Sequence, residues 1–125
     1  MTDSARTLFR ILAWATMLAI VAQVFLAGMV VVARQMDWGG HEALGHSMGF
    51  LMIAMIFVVY LGKASRRLKM LTWALFVVWF IQSYVLIIFV RERLPILAAF
   101  HPVLALVDFL LIHRMIATSK DEVPA

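Results

Sequence analysis

The 125-residue chain contains no cysteine, three prolines, and charged side chains at only 14% of its positions. The absence of cysteine excludes a structural disulfide, a thiolate-bound zinc or iron–sulfur centre, and covalent attachment of a c-type haem. The shortage of charge accompanies 65% hydrophobic residues. A soluble domain of this size could not bury so much apolar surface, because small domains leave much of the chain exposed. The sequence therefore indicates a protein of the lipid bilayer.

Four long apolar stretches make up most of the chain, at residues 8–33, 44–61, 70–90 and 95–116. Each is close to the ~20 residues that an α-helix needs to cross the hydrocarbon core. We expect an all-α fold, an antiparallel bundle of four transmembrane helices that forms a single membrane domain over residues 1–125. The first stretch is longer than the apolar region of a signal peptide, so we expect it to be retained as a helix.

Basic residues are distributed unevenly between the two sets of loops. The termini and the loop between spans two and three carry most of them, and the other loops carry Arg34, Arg91 and Arg93. Since cytoplasmic loops carry the excess of Lys and Arg, we expect both termini in the cytoplasm, and the plasma (inner) membrane if the source is bacterial. The net charge of +4 follows from this asymmetry and does not indicate a nucleic-acid partner.

Two histidines, His46 and His101, lie near the outer ends of different spans. If span two begins near Gly40 and span four near Pro95, each histidine lies about six residues inside its helix, or ~9 Å deep. A histidine at membrane depth is costly without a partner and marks a functional site. Two at matched depth are what one iron between two imidazoles requires. We predict that they are the axial ligands of one haem b; the alternative is two interfacial side chains bonded to water or loop carbonyls.

Small residues accompany both histidines. Gly45 and Gly49 flank His46, and on span four Ala98 and Ala105 share the face of His101. We predict that these four residues leave a slot for the flat macrocycle.

Four cationic or hydrogen-bonding side chains are expected at the outer surface, and they are Arg34, Arg91, Arg93 and His41. They are candidate partners of the haem propionates, although each could equally be an ordinary interfacial anchor. His41 lies about 140° around the helix from His46, so the two cannot face one iron.

The polar residues of the spans suggest a weak internal repeat. Gln23 precedes His46 by 23 residues and Gln82 precedes His101 by 19. The pattern predicts two helical hairpins related by a pseudo-two-fold axis along the membrane normal, unless it is a chance similarity of apolar helices. Asp108, two turns below His101, must be protonated or paired. It is interpreted either as a proton relay or as polar glue bonded to Gln23, Gln82, Ser83 or Tyr84. Both glutamines are interpreted as interhelical hydrogen-bonders.

The segments LGHSMG around His46 and AAFHPVLAL around His101 resemble the histidine-containing helix starts of haem A synthase. Each four-helix half of that family carries one haem-ligating histidine on its second helix and one on its fourth, so the resemblance implies a bis-histidine membrane cytochrome b. The family's glutamate three residues before the second-helix histidine is Ala43 here, with Glu42 adjacent. The resemblance therefore does not extend to independent synthase activity.

The leading hypothesis is a small cytochrome b that acts in electron transfer or haem handling, rather than an independent enzyme. Its partners would be a quinone or a redox protein, and a homodimer would recreate an eight-helix arrangement. The second hypothesis is an accessory subunit of a membrane complex, without a cofactor. The third is a small transporter, which the absence of any acidic residue from span one disfavours.

Overall fold

The computed structural model describes residues 1–122, with the backbone alone at position 89. Its elements are helices α1 (Asp3–Val31), α2 (Gly39–Leu61), α3 (Arg66–Phe80), a π-helical segment that continues α3 (Ile81–Val90), α4 (Pro95–Ala98) and α5 (His101–Lys120). No strand occurs in the described part of the chain. Residues 123–125 of the predicted domain lie outside it.

Four helical stretches are long and apolar enough to cross a membrane, with mean hydropathy of 2.0–2.1: Asp3–Val31, Gly39–Leu61, Arg66–Ile88 and Pro95–Lys120. The predicted all-α bundle of four spans is thereby confirmed. Helices α1, α2 and α3 begin four or five residues before the apolar stretches, and a polar side chain caps two of them, α1 and α3. Thr2 Oγ1 accepts a bond from Ala5 N, and Ser65 Oγ accepts one from Leu68 N.

The helices pack in the cyclic order α1, α2, α3, α5, since α1 and α3 each contact both α2 and α5. The start of α1 meets the end of α2 through the bond from Thr2 N to Gly62 O (3.2 Å), and Ser65 N donates to Glu122 Oε2 (2.9 Å). Both termini of the described chain therefore lie at one end of an antiparallel bundle. We name this the inner end and the opposite one the outer end.

The core occupies the inner half of the bundle. Side chains with no exposed surface come from all four spans, among them Phe9, Met52, Leu75 and Ile112. Within residues 21–47 and 83–107, by contrast, no described residue is buried. The outer half of the bundle is therefore loosely packed.

The fourth span is interrupted near its start. α4 ends at Ala98 and α5 begins at His101. Pro102 has no N–H to bond back to the carbonyl of Ala98, and proline is accommodated in a first helical turn. His101 is therefore the first residue of α5. The predicted depth of six residues assumed one continuous helix from Pro95, and that assumption is wrong.

The third span changes its winding near the outer end. Bonds between residues five apart replace the α-helical spacing over Ile81–Val90, and the Arg91 N–H donates to Leu86 O at 2.9 Å. Such π-helical turns occur often at functional sites. This segment carries Gln82.

Candidate functional site

His41 and His101 lie side by side at the outer end, and we call them the histidine pair. His41 is in the first turn of α2 and His101 is the first residue of α5, and both are half-buried. Their ring centroids are 6.1 Å apart, with an angle of 62° between the ring planes. Since α2 and α5 occupy diagonal corners of the bundle, the two rings meet across its outer mouth.

Each ring of the pair is held by a main-chain carbonyl of the preceding span. His41 Nδ1 donates to Gln23 O at 3.1 Å, and His101 Nδ1 donates to Gln82 O at 3.0 Å. A carbonyl oxygen can only accept, so Nδ1 carries the proton and Nε2 keeps its lone pair. Metal-ligating histidines are oriented by this kind of bond. The two rings are thus the same tautomer, and in each of them Nε2 is the nitrogen whose lone pair can bind a metal.

The same two bonds show an internal repeat, but the equivalent residues differ from the predicted ones. The histidine follows its glutamine by 18 residues in the first hairpin and by 19 in the second. The repeat therefore relates His41, rather than His46, to His101. The hairpins differ in the glutamine side chains, since Gln23 Nε2 donates to His41 O (2.9 Å) and Gln82 Nε2 donates to Asp108 (2.6 Å).

His46 lies elsewhere. It is exposed, its Nδ1 donates to Glu42 O of its own helix (2.8 Å), and its ring contacts Tyr84 with centroids 5.7 Å apart. It is five residues beyond His41, or ~7.5 Å along α2. Because the break before α5 makes His101 the first residue of its helix, His101 meets the first turn of α2. The structure therefore brings His101 together with His41, where the sequence predicted His46.

The slot predicted beside Gly45 and Gly49 is filled by protein. A Cβ atom at Gly49 would lie 2.5 Å from the ring of Trp79, and one at Gly45 would lie 2.9 Å from Gln23 Nε2. Trp79 Nε1 also donates to Gly45 O at 3.2 Å. The space beside Gly49 is therefore occupied by the indole ring and that beside Gly45 by the Gln23 amide, and the role of the two glycines toward a macrocycle stays a prediction.

The remaining predicted residues lie at the outer end. Ala98 is in α4 and Ala105 in α5, so the helix break separates them and they do not form one continuous stripe. Arg34, Arg91 and Arg93 are exposed in the two outer loops. They lie at the same end of the bundle as the histidine pair, and their role toward propionates stays a prediction.

A second polar contact lies below the pair. Asp108 has no exposed surface, Gln82 is 5% exposed, and Gln82 Nε2 donates to Asp108 Oδ2 at 2.6 Å. This is one of the bonds expected of polar glue in the interior. Asp108 Oδ1 and Gln82 Oε1 are buried without a hydrogen-bond partner among the described residues. The contact thus leaves two buried acceptors unsatisfied.

The donor set distinguishes between classes of metal site. The described residues contain no cluster of three or more His, Cys, Asp or Glu side chains that could hold a metal ion. A site for a bare structural zinc, with four protein ligands, is therefore not found among them. The histidine pair supplies at most two nitrogen ligands, so a metal bound there would need its remaining ligands from another group.

The sequence contained two signals for the observed pair. Pro102, inside an apolar run, marks the helix boundary that moves His101 outward. The spacing from Gln23 to His41 matches that from Gln82 to His101 within one residue. The contact of Trp79 with the glycines had no comparable signal.

Comparison with known proteins adds a family. Neither a curated protein nor a solved structure matches the chain. A family model matches residues 23–89, more than half of the chain, and its range includes Gln23, His41 and Gln82 but ends before His101. The protein therefore belongs to DUF6220, a family of unknown function.

Proposed function

We propose that the protein is a small membrane cytochrome b that binds one haem b through His41 and His101 and acts in electron transfer or haem handling. The observation that carries this proposal is the histidine pair itself. The ring centroids of the two imidazoles, which come from diagonal helices, lie 6.1 Å apart. Because each Nδ1 donates to a carbonyl, each Nε2 has a lone pair that can bind a metal. No other role for two such oriented imidazoles follows as directly from their chemistry.

The chain's own residues define what the site does. The carbonyls of Gln23 and Gln82 fix the orientation of the two rings and increase the basicity of their Nε2 atoms. Bound there, a haem supplies one-electron redox chemistry, and ligation on both axial sides suits electron transfer better than oxygen binding. Trp38, half-exposed, packs edge-on against His41 with centroids 5.3 Å apart. A quinone or redox protein would thus approach at the outer end.

An absorption spectrum of the detergent-purified protein, oxidised and then reduced with dithionite, tests the proposal. We expect a sharp Soret band and split α and β bands on reduction. His41→Ala and His101→Ala should each abolish these bands or convert them to a high-spin spectrum. His46→Ala is the matched control, because this exposed ring lies one turn and a half away on the same helix, and it should leave the spectrum unchanged.

Two results would overturn the proposal in different ways. A colourless wild type that takes up no added haem would remove the cofactor altogether. A spectrum lost in His46→Ala but kept in His41→Ala would restore the ligand pair predicted from the sequence and contradict the pairing in the structure.

A second function, an accessory subunit that binds another membrane protein, is favoured by the open outer half. The described side chains of residues 21–47 and 83–107 are all half-buried or exposed, although these residues belong to or join membrane spans. A helix of a partner protein could cover this surface. Co-purification of a defined complex with a colourless wild type would support this second function.

A further inference from the structure

Asp108 and Gln82 form a buried polar pair that the proposed haem ligation does not use. Asp108 is fully buried, and its single described bond is the one from Gln82 Nε2 to Oδ2. Its second oxygen, Oδ1, has no partner, and neither has Gln82 Oε1. An ionised carboxylate in a membrane bundle is costly when it is incompletely paired. Each of these two contacting residues therefore has a buried oxygen that lacks a hydrogen-bond donor.

A single proton on Asp108 provides the hydrogen-bond donor that both residues lack. A proton on Asp108 removes the charge and turns one carboxylate oxygen into an O–H donor, at a pair whose two unsatisfied atoms are both acceptors. The cationic side chains of the neighbouring spans, α1 and α3, are not placed beside Asp108 to neutralise it. The charged residues of α1 lie at positions 3–10 and those of α3 at 66–69, so both groups are at the inner end. The titratable groups on the outer side of the pair are His101 on α5, Tyr84 on the π-helical segment, and His41, Glu42 and His46 on α2, with Arg34, Asp37, Arg91, Glu92 and Arg93 in the outer loops.

The pair lies between the buried inner core and the histidine pair. Leu75, Ile112 and Met115 of the inner half have no exposed surface. The main chain of Gln82 accepts the Nδ1 bond of His101, so Gln82 touches the histidine pair and Asp108 at once. His101 is half-buried at the outer end. The polar groups that continue from Asp108 therefore lead toward the outer end, through Gln82 and His101.

We infer that Asp108 and Gln82 form a buried proton-binding site that exchanges protons with the outer side of the membrane. Its coupling to redox chemistry rests on the proposed function. A haem bound by the histidine pair would gain one positive charge on losing one electron to an added oxidant, and Asp108 would then release one proton toward the outer end. Reduction by one electron would reverse this, with Asp108 taking up one proton from the aqueous phase at the outer end.

Infrared spectroscopy of the haem-free protein tests the proton site without the cofactor. We expect a carbonyl stretching band of a protonated carboxyl group at neutral pH that shifts on transfer to heavy water and is absent in Asp108→Asn. Asp121→Asn, a change at an exposed acid near the inner end, is the matched control and should retain the band. In Gln82→Leu the band should persist at a shifted frequency, because the carboxyl group loses its bond to Nε2. If wild type and Asp108→Asn have the same spectrum in this region, the proton site is refuted.

A redox titration tests the coupling. In wild type the midpoint potential should fall as pH rises, because reduction takes up a proton, and in Asp108→Asn this dependence should be lost. Equal dependence in both proteins contradicts the coupling. A colourless protein refutes the proposed haem, and the infrared experiment then still decides whether Asp108 holds a proton.

Discussion

The two ends of the bundle use polar groups in opposite ways. At the inner end Glu122 accepts bonds from the main-chain N–H and the hydroxyl of Ser65, and the amino group of Met1 lies 3.9 Å from its Oε2. Toward the outer end Gln23, Gln82 and Asp108 each leave a buried oxygen without a partner among the described residues. The inner bonds of Glu122 join helix ends, and the described buried atom without a partner there is a donor, Arg6 Nε. The three outer atoms without partners are all acceptors.

The difference in packing runs parallel to the difference in bonding. Fully buried apolar side chains occupy the inner half, and none is described in residues 21–47 or 83–107. Segments with few buried contacts open most easily, and binding sites are drawn from them. The comparison teaches that the inner half holds the fully buried apolar side chains that stabilise the bundle, whereas the outer half contributes little to the core.

The largest expected effect comes from truncating the same residue type in each half. Met52 is fully buried in α2 and Met29 is half-buried near the outer end of α1. Met52→Ala should lower the free energy of unfolding by about 2–5 kcal/mol, and Met29→Ala by less than about 1 kcal/mol, because only the first opens a cavity. Denaturant unfolding in detergent micelles measures both. Equal losses would mean that the halves are equally well packed.

Adding one methyl group to a glycine tests close packing at each end. A Cβ at Gly62 would lie 2.5 Å from Ala5 Cβ and 2.8 Å from Val58 O, whereas one at Gly28 would have no atom within 4 Å. We expect Gly62→Ala to cost about 1–3 kcal/mol and Gly28→Ala to be neutral or slightly stabilising. The melting temperatures of the two variants give the comparison directly. A stable Gly62→Ala variant would show that the inner end yields easily.

Removal of the inner carboxylate tests the bonds that join the helix ends. Glu122→Ala leaves the Ser65 N–H without its acceptor and should destabilise the protein by about 1–3 kcal/mol. Asp121→Ala, at the exposed neighbouring position, is the control and should change stability by less than about 0.5 kcal/mol. Thermal unfolding distinguishes the two. If both variants are as stable as wild type, the bonds of Glu122 do not stabilise the inner end.

The smallest effect is expected at the outer loop. Asp37 Oδ1 accepts a bond from Gly39 N at 2.9 Å, and both residues are exposed. Asp37→Ala should cost only about 0.5 kcal/mol, since water replaces an exposed bond at little cost. A loss as large as that of Glu122→Ala would show that the outer end is as strongly stabilised as the inner one.

The spans could be predicted because apolar length is a property of the local sequence. Residues 44–61 and 95–116 fall within the observed spans. The starts of α1, α2 and α3 lie four or five residues earlier than the apolar stretches, with side-chain caps from Thr2 and Ser65 at α1 and α3. The depth of a histidine is less local, because it depends on where a helix breaks. Counting from Pro95 to His101 treated α4 and α5 as one helix, and the structure places His101 beside His41 where the sequence predicted His46.

Other parts of the site depend on contacts between spans. Trp79 fills the space beside Gly49 from a neighbouring helix, and nothing in the sequence near Gly49 specifies that neighbour. The π-helical winding of Ile81–Val90 likewise has no recognised residue pattern. The bond between Gln82 and Asp108 was among several expected, because both residues are polar in otherwise apolar spans.

The π-helical segment makes the length of the third span part of the site. Its bonds join residues five apart, one more than in an α-helix, so the segment is wound differently from the α-helix that precedes it. Deleting a single residue between Gln82 and Arg91 would change the angle at which Gln82 lies relative to the outer loop. The carbonyl that holds His101 and the amide that holds Asp108 would be displaced together. Substitutions in this stretch should be tolerated far better than deletions.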